Sequence, residues 1–162
     1  MAVIVARTKS ADDTQALAAS VAPVLTAGDI VVLAGGLGTG KTTFAQGLAR
    51  GLGVPEQVTS PTFILLRTYE GGRLPFVHVD VYRLDRLQEA IDLGLAEVLD
   101  DGVAAIEWGD AVAPVLPADY LEVRLERGAG DDDRLVRVRP VGTRWSARLG
   151  GLRQALERWV EG

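Results

Sequence analysis

Hydrophobic positions along the chain follow two periods. Short apolar runs bounded by turn residues predict strands, and recurrences at three and four residues predict helices. Residues 3–7 (VIVAR) read as a short strand. Ser10 then caps a helix over 11–25, in which Leu17, Val21, Val24 and Leu25 share one face. Residues 30–34 (IVVLA) are apolar throughout, as in a fully buried strand. A glycine-rich loop follows, and then a helix over 41–52 that stops at Gly53, before Pro55.

The middle of the chain is strand-rich. Segments 62–69 and 74–82 flank Glu70-Gly71-Gly72-Arg73, which reads as a hairpin turn with glycine where positive φ is needed. Residues 85–99 read as helical pieces interrupted near Gly94, and 102–107 (GVAAIE) as another buried strand. Segments 120–127 and 135–141 alternate apolar and polar residues and form a second hairpin around 128–133. From Thr143 on, Trp145, Leu149, Leu152, Leu156 and Trp159 recur at helical steps, with a kink expected at Gly150-Gly151. This order predicts one α/β domain over 1–142 with a mixed parallel and antiparallel sheet flanked by helices. An amphipathic helical extension over 143–162 packs on it or projects from it.

Composition narrows the function classes. The chain has 162 residues and is 48% hydrophobic, enough for one domain with a substantial core. With no cysteine, disulfide scaffolds, zinc–thiolate sites and thiol nucleophiles are excluded. A net charge of −5 argues against free-standing nucleic-acid binding, which needs a basic footprint. Neither a signal peptide's apolar region nor a bilayer-length apolar run is present, so a cytoplasmic protein without a membrane partner is expected. Of 17 basic side chains only Lys9 and Lys41 are lysine, which makes an internal lysine conspicuous.

Lys41 lies in the chemistry-bearing stretch, Gly35-Gly36-Leu37-Gly38-Thr39-Gly40-Lys41-Thr42-Thr43. Two glycines, Lys and Thr at fixed spacing, after a buried strand and opening a helix, are the pattern of a phosphate-binding loop. Glycine lets the backbone curl so that its N–H groups converge on phosphate oxygens, and the helix N-terminus adds a favourable dipole. Lys41 would reach the outer phosphates, and Thr42 would offer its hydroxyl to Mg2+.

Such a site needs an acid at the end of a neighbouring strand. Glu107 and Asp80 both qualify; Phe76, His78, Asp80 and Tyr82 share one strand face. Glu107 is assigned to the metal, directly or through water, and Asp80 to the attacking water or metal shell. In VTSPTF (58–63), Pro61 holds Ser60 extended. Thr62 can then act beside the γ-phosphate as a switch residue. The catalytic set is therefore Lys41, Asp80 and Thr62, with Thr42 and Glu107 on the metal. His78, the single histidine, reads as structural or supporting rather than as a general base. Trp108 stacks on a base or partner, or simply packs. The adenine pocket is sought near Asp12–Thr14 or Arg134.

The chain contains no asparagine, so the Asn-Lys-x-Asp guanine-reading motif is absent and ATP is the expected nucleotide. A small-molecule kinase remains an alternative, although Arg83 and Arg86 stand in helical context rather than in a mobile lid. A nucleotide-gated assembly module with little hydrolysis is the other alternative.

In order and spacing, GGLGTGKTT, VTSPTF, HVDVYRL and DLGL…DDGVAAIEW resemble the bacterial TsaE (YjeE) family. The similarity spans roughly residues 10–140. The resemblance implies a P-loop fold and an Mg2+-dependent ATPase that supports TsaD and TsaB in forming threonylcarbamoyladenosine beside tRNA anticodons. It implies tRNA contact only through those partners, and roles for Thr42 and Glu107 at magnesium and for Asp80 and Thr62 in hydrolysis. The sequence departs from the family pattern at Gly36, where an acid is usual, and at Gly109, where proline often follows Glu-Trp; residues 143–162 extend beyond the family core.

Overall fold

The computed structural model describes residues 3–36, 38–59, 66–80, 99–107 and 118–160. Seven strands are named in chain order: β1 (Ile4–Thr8), β2 (Ile30–Gly35), β3 (Leu66–Tyr69), β4 (Phe76–Asp80), β5 (Val103–Glu107), β6 (Tyr120–Arg127) and β7 (Arg134–Val141). The helices are α1 (Ala11–Val21), α2 (Lys41–Gly51), α3 (Thr143–Ser146) and α4 (Leu149–Leu156). One sheet runs β1-β7-β6-β2-β5-β4-β3. β2 lies parallel between β5 and β6, and β4 is parallel to β5. Antiparallel pairs finish both flanks, β3 with β4 on one side and β6-β7-β1 on the other. The expected mixed sheet is present, with its parallel centre at β2.

Each strand segregates its faces. Val31 and Leu33 of β2, with Leu121, Val123, Leu125, Val136 and Val138, join α1 and α2 in the larger core. Ile30 and Val32 turn the other way, to Val77, Val79, Ala104 and Ile106. α1 lies so close on α2 that a Cβ at Gly47 would stand 2.4 Å from Gln15 O, and one at Gly51 2.6 Å from Ala19 O.

Two sequence expectations change. The helix predicted over 11–25 is α-helical only to Val21, and Ala22–Val24 tightens into a 3-10 turn. Pro23 supplies no N–H for the α ladder, which accounts for the early end. The C-terminal break falls at Ala147–Arg148 rather than at Gly150-Gly151, which lie inside α4. Arg148 is drawn onto Asp29 by bonds of 2.6 and 2.9 Å and stacks on Trp145, its guanidinium carbon 3.8 Å from the ring centroid. The strand predicted over 62–69 is described from Leu66 on, and the helical pieces of 85–99 lie outside the described residues as far as 98.

The Ser10 cap is as expected, its hydroxyl accepting from Asp13 N at 3.0 Å. The extension packs on the domain: Trp145, Leu152 and Leu156 are buried, and Trp159 Nε1 donates to Asp13 Oδ1 at 2.8 Å. Among the described residues, no helix is long and apolar enough to cross a membrane.

Candidate nucleotide site

The loop after β2 starts at the C-terminal end of the parallel centre, where α/β sheets place their ligands. Gly35 has φ +143°, and a Cβ there would stand 2.4 Å from Leu125 O, so the backbone passes where a side chain has no room. Gly40 (φ +104°) is the N-cap of α2 and makes no side-chain cap; the first turn carries no acid. The leading amides of α2 are thus arranged as an anion site rather than satisfied by a capping side chain.

Lys41 is buried, and its Nζ donates to Gly35 O at 2.9 Å and to Gly36 O at 2.8 Å, which places the ammonium inside the curl of the loop. Thr39 Oγ1 donates to Gly36 O at 2.8 Å. Leu37 lies outside the described residues.

The acids stand where the strands deliver them. Leu33 of β2 pairs with Glu107 of β5, and Glu107 with Asp80 of β4, so the three form one row across the sheet just before the loop. Thr42 Oγ1, in the first turn of α2, lies 3.1 and 3.2 Å from the two oxygens of Glu107. His78 Nε2 meets Glu107 Oε2, one of the two oxygens that Thr42 reaches, at 2.5 Å. The predicted metal pair, Thr42 and Glu107, is therefore in direct contact. A hydroxyl and a carboxylate are hard oxygen donors, and they leave most positions of a small cation to water and phosphate, as suits Mg2+ beside a nucleotide.

Of the predicted residues, Gly35, Gly36, Gly38, Thr39, Gly40, Lys41, Thr42 and Thr43 form or abut the loop, and Asp80 and Glu107 face its helix side. Thr62 and Trp108 lie outside the described residues. The two regions searched for the adenine converge: a cavity of about 50 Å3 beside the loop is lined by Thr14, Thr39, Thr43, Asp132 and Arg134. Asp13 is engaged elsewhere, with Lys9 N and Trp159. A cavity of about 560 Å3 among the described residues shares no lining residue with this loop; it lies between the outer strand β1 and the C-terminal segment, where Val3, Val5 and Val160 line it.

One feature is not legible in the sequence: Arg134, suggested there only for the base, donates to Thr39 O and Gly38 O and ties the β6–β7 loop to the phosphate loop. His78, expected to be structural or supporting, is buried and touches Glu107 itself.

A family profile described as "Threonylcarbamoyl adenosine biosynthesis protein TsaE" matches residues 8–136. The chain belongs to the TsaE family. The matched span contains the phosphate loop, Asp80, Glu107 and Arg134, and it leaves α3 and α4 outside. A relative named tRNA threonylcarbamoyladenosine biosynthesis protein TsaE in Bacillus subtilis is 41% identical over 140 residues, covering 86% of this chain and 87% of its own. Its namesake in Streptomyces coelicolor is 46% identical over 131 residues, covering 77% and 88%. The Treponema pallidum protein of that name is 46% identical over 131 residues, covering 80% and 96%. The crystal structure of Bacillus subtilis YdiB superposes with a TM-score of 0.77 at 35% identity, covering 94% of this chain and 95% of that one.

Proposed function

We propose that the chain is an Mg2+-dependent ATPase that supports TsaD and TsaB in making threonylcarbamoyladenosine in tRNA. The observation that carries the nucleotide chemistry is the contact between the Thr42 hydroxyl and both oxygens of Glu107 at the mouth of the glycine loop. The pathway rests on family membership, because the curated relatives carry that biosynthetic role in their names. ATP rather than GTP follows from the missing asparagine.

In this reading the amides of the loop and of the first turn of α2 hold the phosphates, and Lys41 turns from the Gly35 and Gly36 carbonyls to the outer ones. Thr42 and Glu107 hold Mg2+, which neutralises charge on the phosphates. Asp80, beside Glu107 in the sheet, orients the attacking water, and Thr62 acts as the switch residue. The net charge of −5 leaves tRNA to the partners, and the protein works in the cytoplasm.

The test is the ATP hydrolysis rate of the purified protein, alone and with the TsaB–TsaD pair. Stimulation by the pair is the expected result. Phosphorylation of a small metabolite by the isolated protein would replace this reading with a kinase, and equal rates with and without the pair would remove the coupling.

A further inference from the structure

Glu107 has two side-chain partners, Thr42 and His78, and the site as proposed uses only the first. His78 is fully buried against a carboxylate that is itself only 4% exposed. An ionised carboxylate only accepts, so Nε2 is the donor in their 2.5 Å contact. Among the described residues Nδ1 has no hydrogen-bond partner. The polar contact described for this imidazole is directed at Glu107.

Strand geometry makes the contact possible. His78 pairs with Ala105 of the parallel neighbour, and Glu107 lies two residues further along β5 on the same face. Diagonal neighbours of this kind are roughly 7–8 Å apart at the backbone, a gap that an imidazole spans. Ala105 is buried, and its methyl group leaves the ring a path over the strand. Phe76 lies behind the imidazole, its ring centroid 6.5 Å away.

We propose that His78 is a positioning residue: its Nε2–H fixes the Glu107 carboxylate so that it presents oxygen to Thr42 and to the divalent cation that enters with the nucleotide. The inference rests on the Mg2+–ATP reading and goes beyond it, because space filling by a buried histidine would not require a bond to the metal-side acid. Buried hydrogen bonds of this kind are strong, and removing one that supports a metal ligand typically lowers metal affinity about 10–100-fold.

The experiment measures binding of a non-hydrolysable ATP analogue by calorimetry, once with saturating Mg2+ and once in EDTA. The ratio of the two affinities isolates the metal's contribution. His78→Gln places an amide N–H near the position of Nε2; His78→Asn is one methylene shorter and falls short of Glu107. His78→Leu removes the donor while keeping bulk. The Asn and Leu variants should lose about 10–100-fold of the Mg2+-dependent enhancement with EDTA binding unchanged, and Gln should recover most of it. A folded Asn or Leu variant with the wild-type ratio overturns the proposal, as does a Gln variant no better than Asn. Lower Tm with an unchanged ratio would mean packing alone and also overturns it; should Leu not fold, the Gln–Asn pair decides. Wild-type protein that binds no nucleotide, or binds it without regard to Mg2+, overturns the ATP reading and this one together, before any variant is measured.

Discussion

Arg134 donates from Nε to the carbonyl oxygen of Thr39 at 2.9 Å, a contact between residues 95 apart in sequence. The same guanidinium reaches Gly38 O at 3.3 Å, and Asp131 O and Asp133 O at 2.8 Å each. Four carbonyls from two loops are gathered on one rigid cation, so the β6–β7 hairpin holds the phosphate loop in shape. Bonds from a charged donor are worth about 1.5–3 kcal/mol when buried, and less at a half-exposed site.

Arg134→Met keeps the apolar stem and removes the fork. Stability should fall by about 1–2 kcal/mol, which for a chain of this size lowers Tm by roughly 2–8 °C. Nucleotide affinity should fall by about tenfold, equivalent to about 1.4 kcal/mol, because the loop must then be ordered by the ligand. Calorimetric melting and equilibrium dialysis report the two effects separately. Unaltered affinity would show that the loop keeps its shape without the clamp.

Replacing glycine by alanine should have opposite signs in two helices. Gly47 of α2 faces α1, where a new Cβ would meet Gln15 O at 2.4 Å and the Ala18 Cβ at 2.7 Å. Backbone cannot yield as a side chain does, so Gly47→Ala should cost about 1–3 kcal/mol despite alanine's better helix propensity. Gly150 in α4 has nothing within 4 Å of the added methyl. Gly150→Ala should stabilise by up to about 0.5–1 kcal/mol. Urea denaturation of both variants checks the contrast, and a Gly47→Ala variant as stable as the parent or more so would contradict the close α1–α2 approach.

Asp80 and Glu107 stand side by side in the sheet but are assigned different tasks, and substitutions should separate them. Asp80→Asn should leave Mg2+–nucleotide binding near wild type and lower kcat by at least about 10²-fold, the low end for a positioned acid–base group. Glu107→Gln should weaken binding in Mg2+ while leaving binding in EDTA intact. Single-turnover hydrolysis alongside binding isotherms provides the readout. If Asp80→Asn retained the wild-type kcat, water orientation would have to be assigned elsewhere.

What the sequence disclosed was local. The run 30–34, the glycine spacing and Lys41 each announce themselves within a few residues, and the structure places them as read. Thr42 and Glu107 were legible as types at a strand end and a helix start, although 65 residues separate them. Contacts that depend on which strands become neighbours were hidden. Arg134 reaches the loop because β6 pairs with β2, and His78 reaches Glu107 because β4 lies beside β5 with a small residue at 105. Hydropathy pattern carries no information on that order. The misplaced C-terminal break has the same origin, since glycine is a local signal and the pull of Asp29 on Arg148 is not.

That pull also determines how the segment after residue 142 relates to the rest. The Asp29 side chain is fully buried and accepts from Arg148 at 2.6 and 2.9 Å and from Thr26 N at 2.7 Å, with Arg144 Nε 3.2 Å away. Removing residues 143–162 would leave this carboxylate without either arginine, a loss that for a buried pair costs about 3–5 kcal/mol. Asp29→Asn then distinguishes charge from packing. In the full chain it should destabilise, because Arg148 loses its counter-charge. In the truncated chain the same substitution should cost less, because no arginine is left to lose its counter-charge. Urea unfolding of the four chains forms a complete cycle, and its coupling term measures the ionic contribution. An equal cost for Asp29→Asn in both backgrounds would mean that the extension holds the domain through Trp145, Leu152 and Leu156 rather than through Arg148.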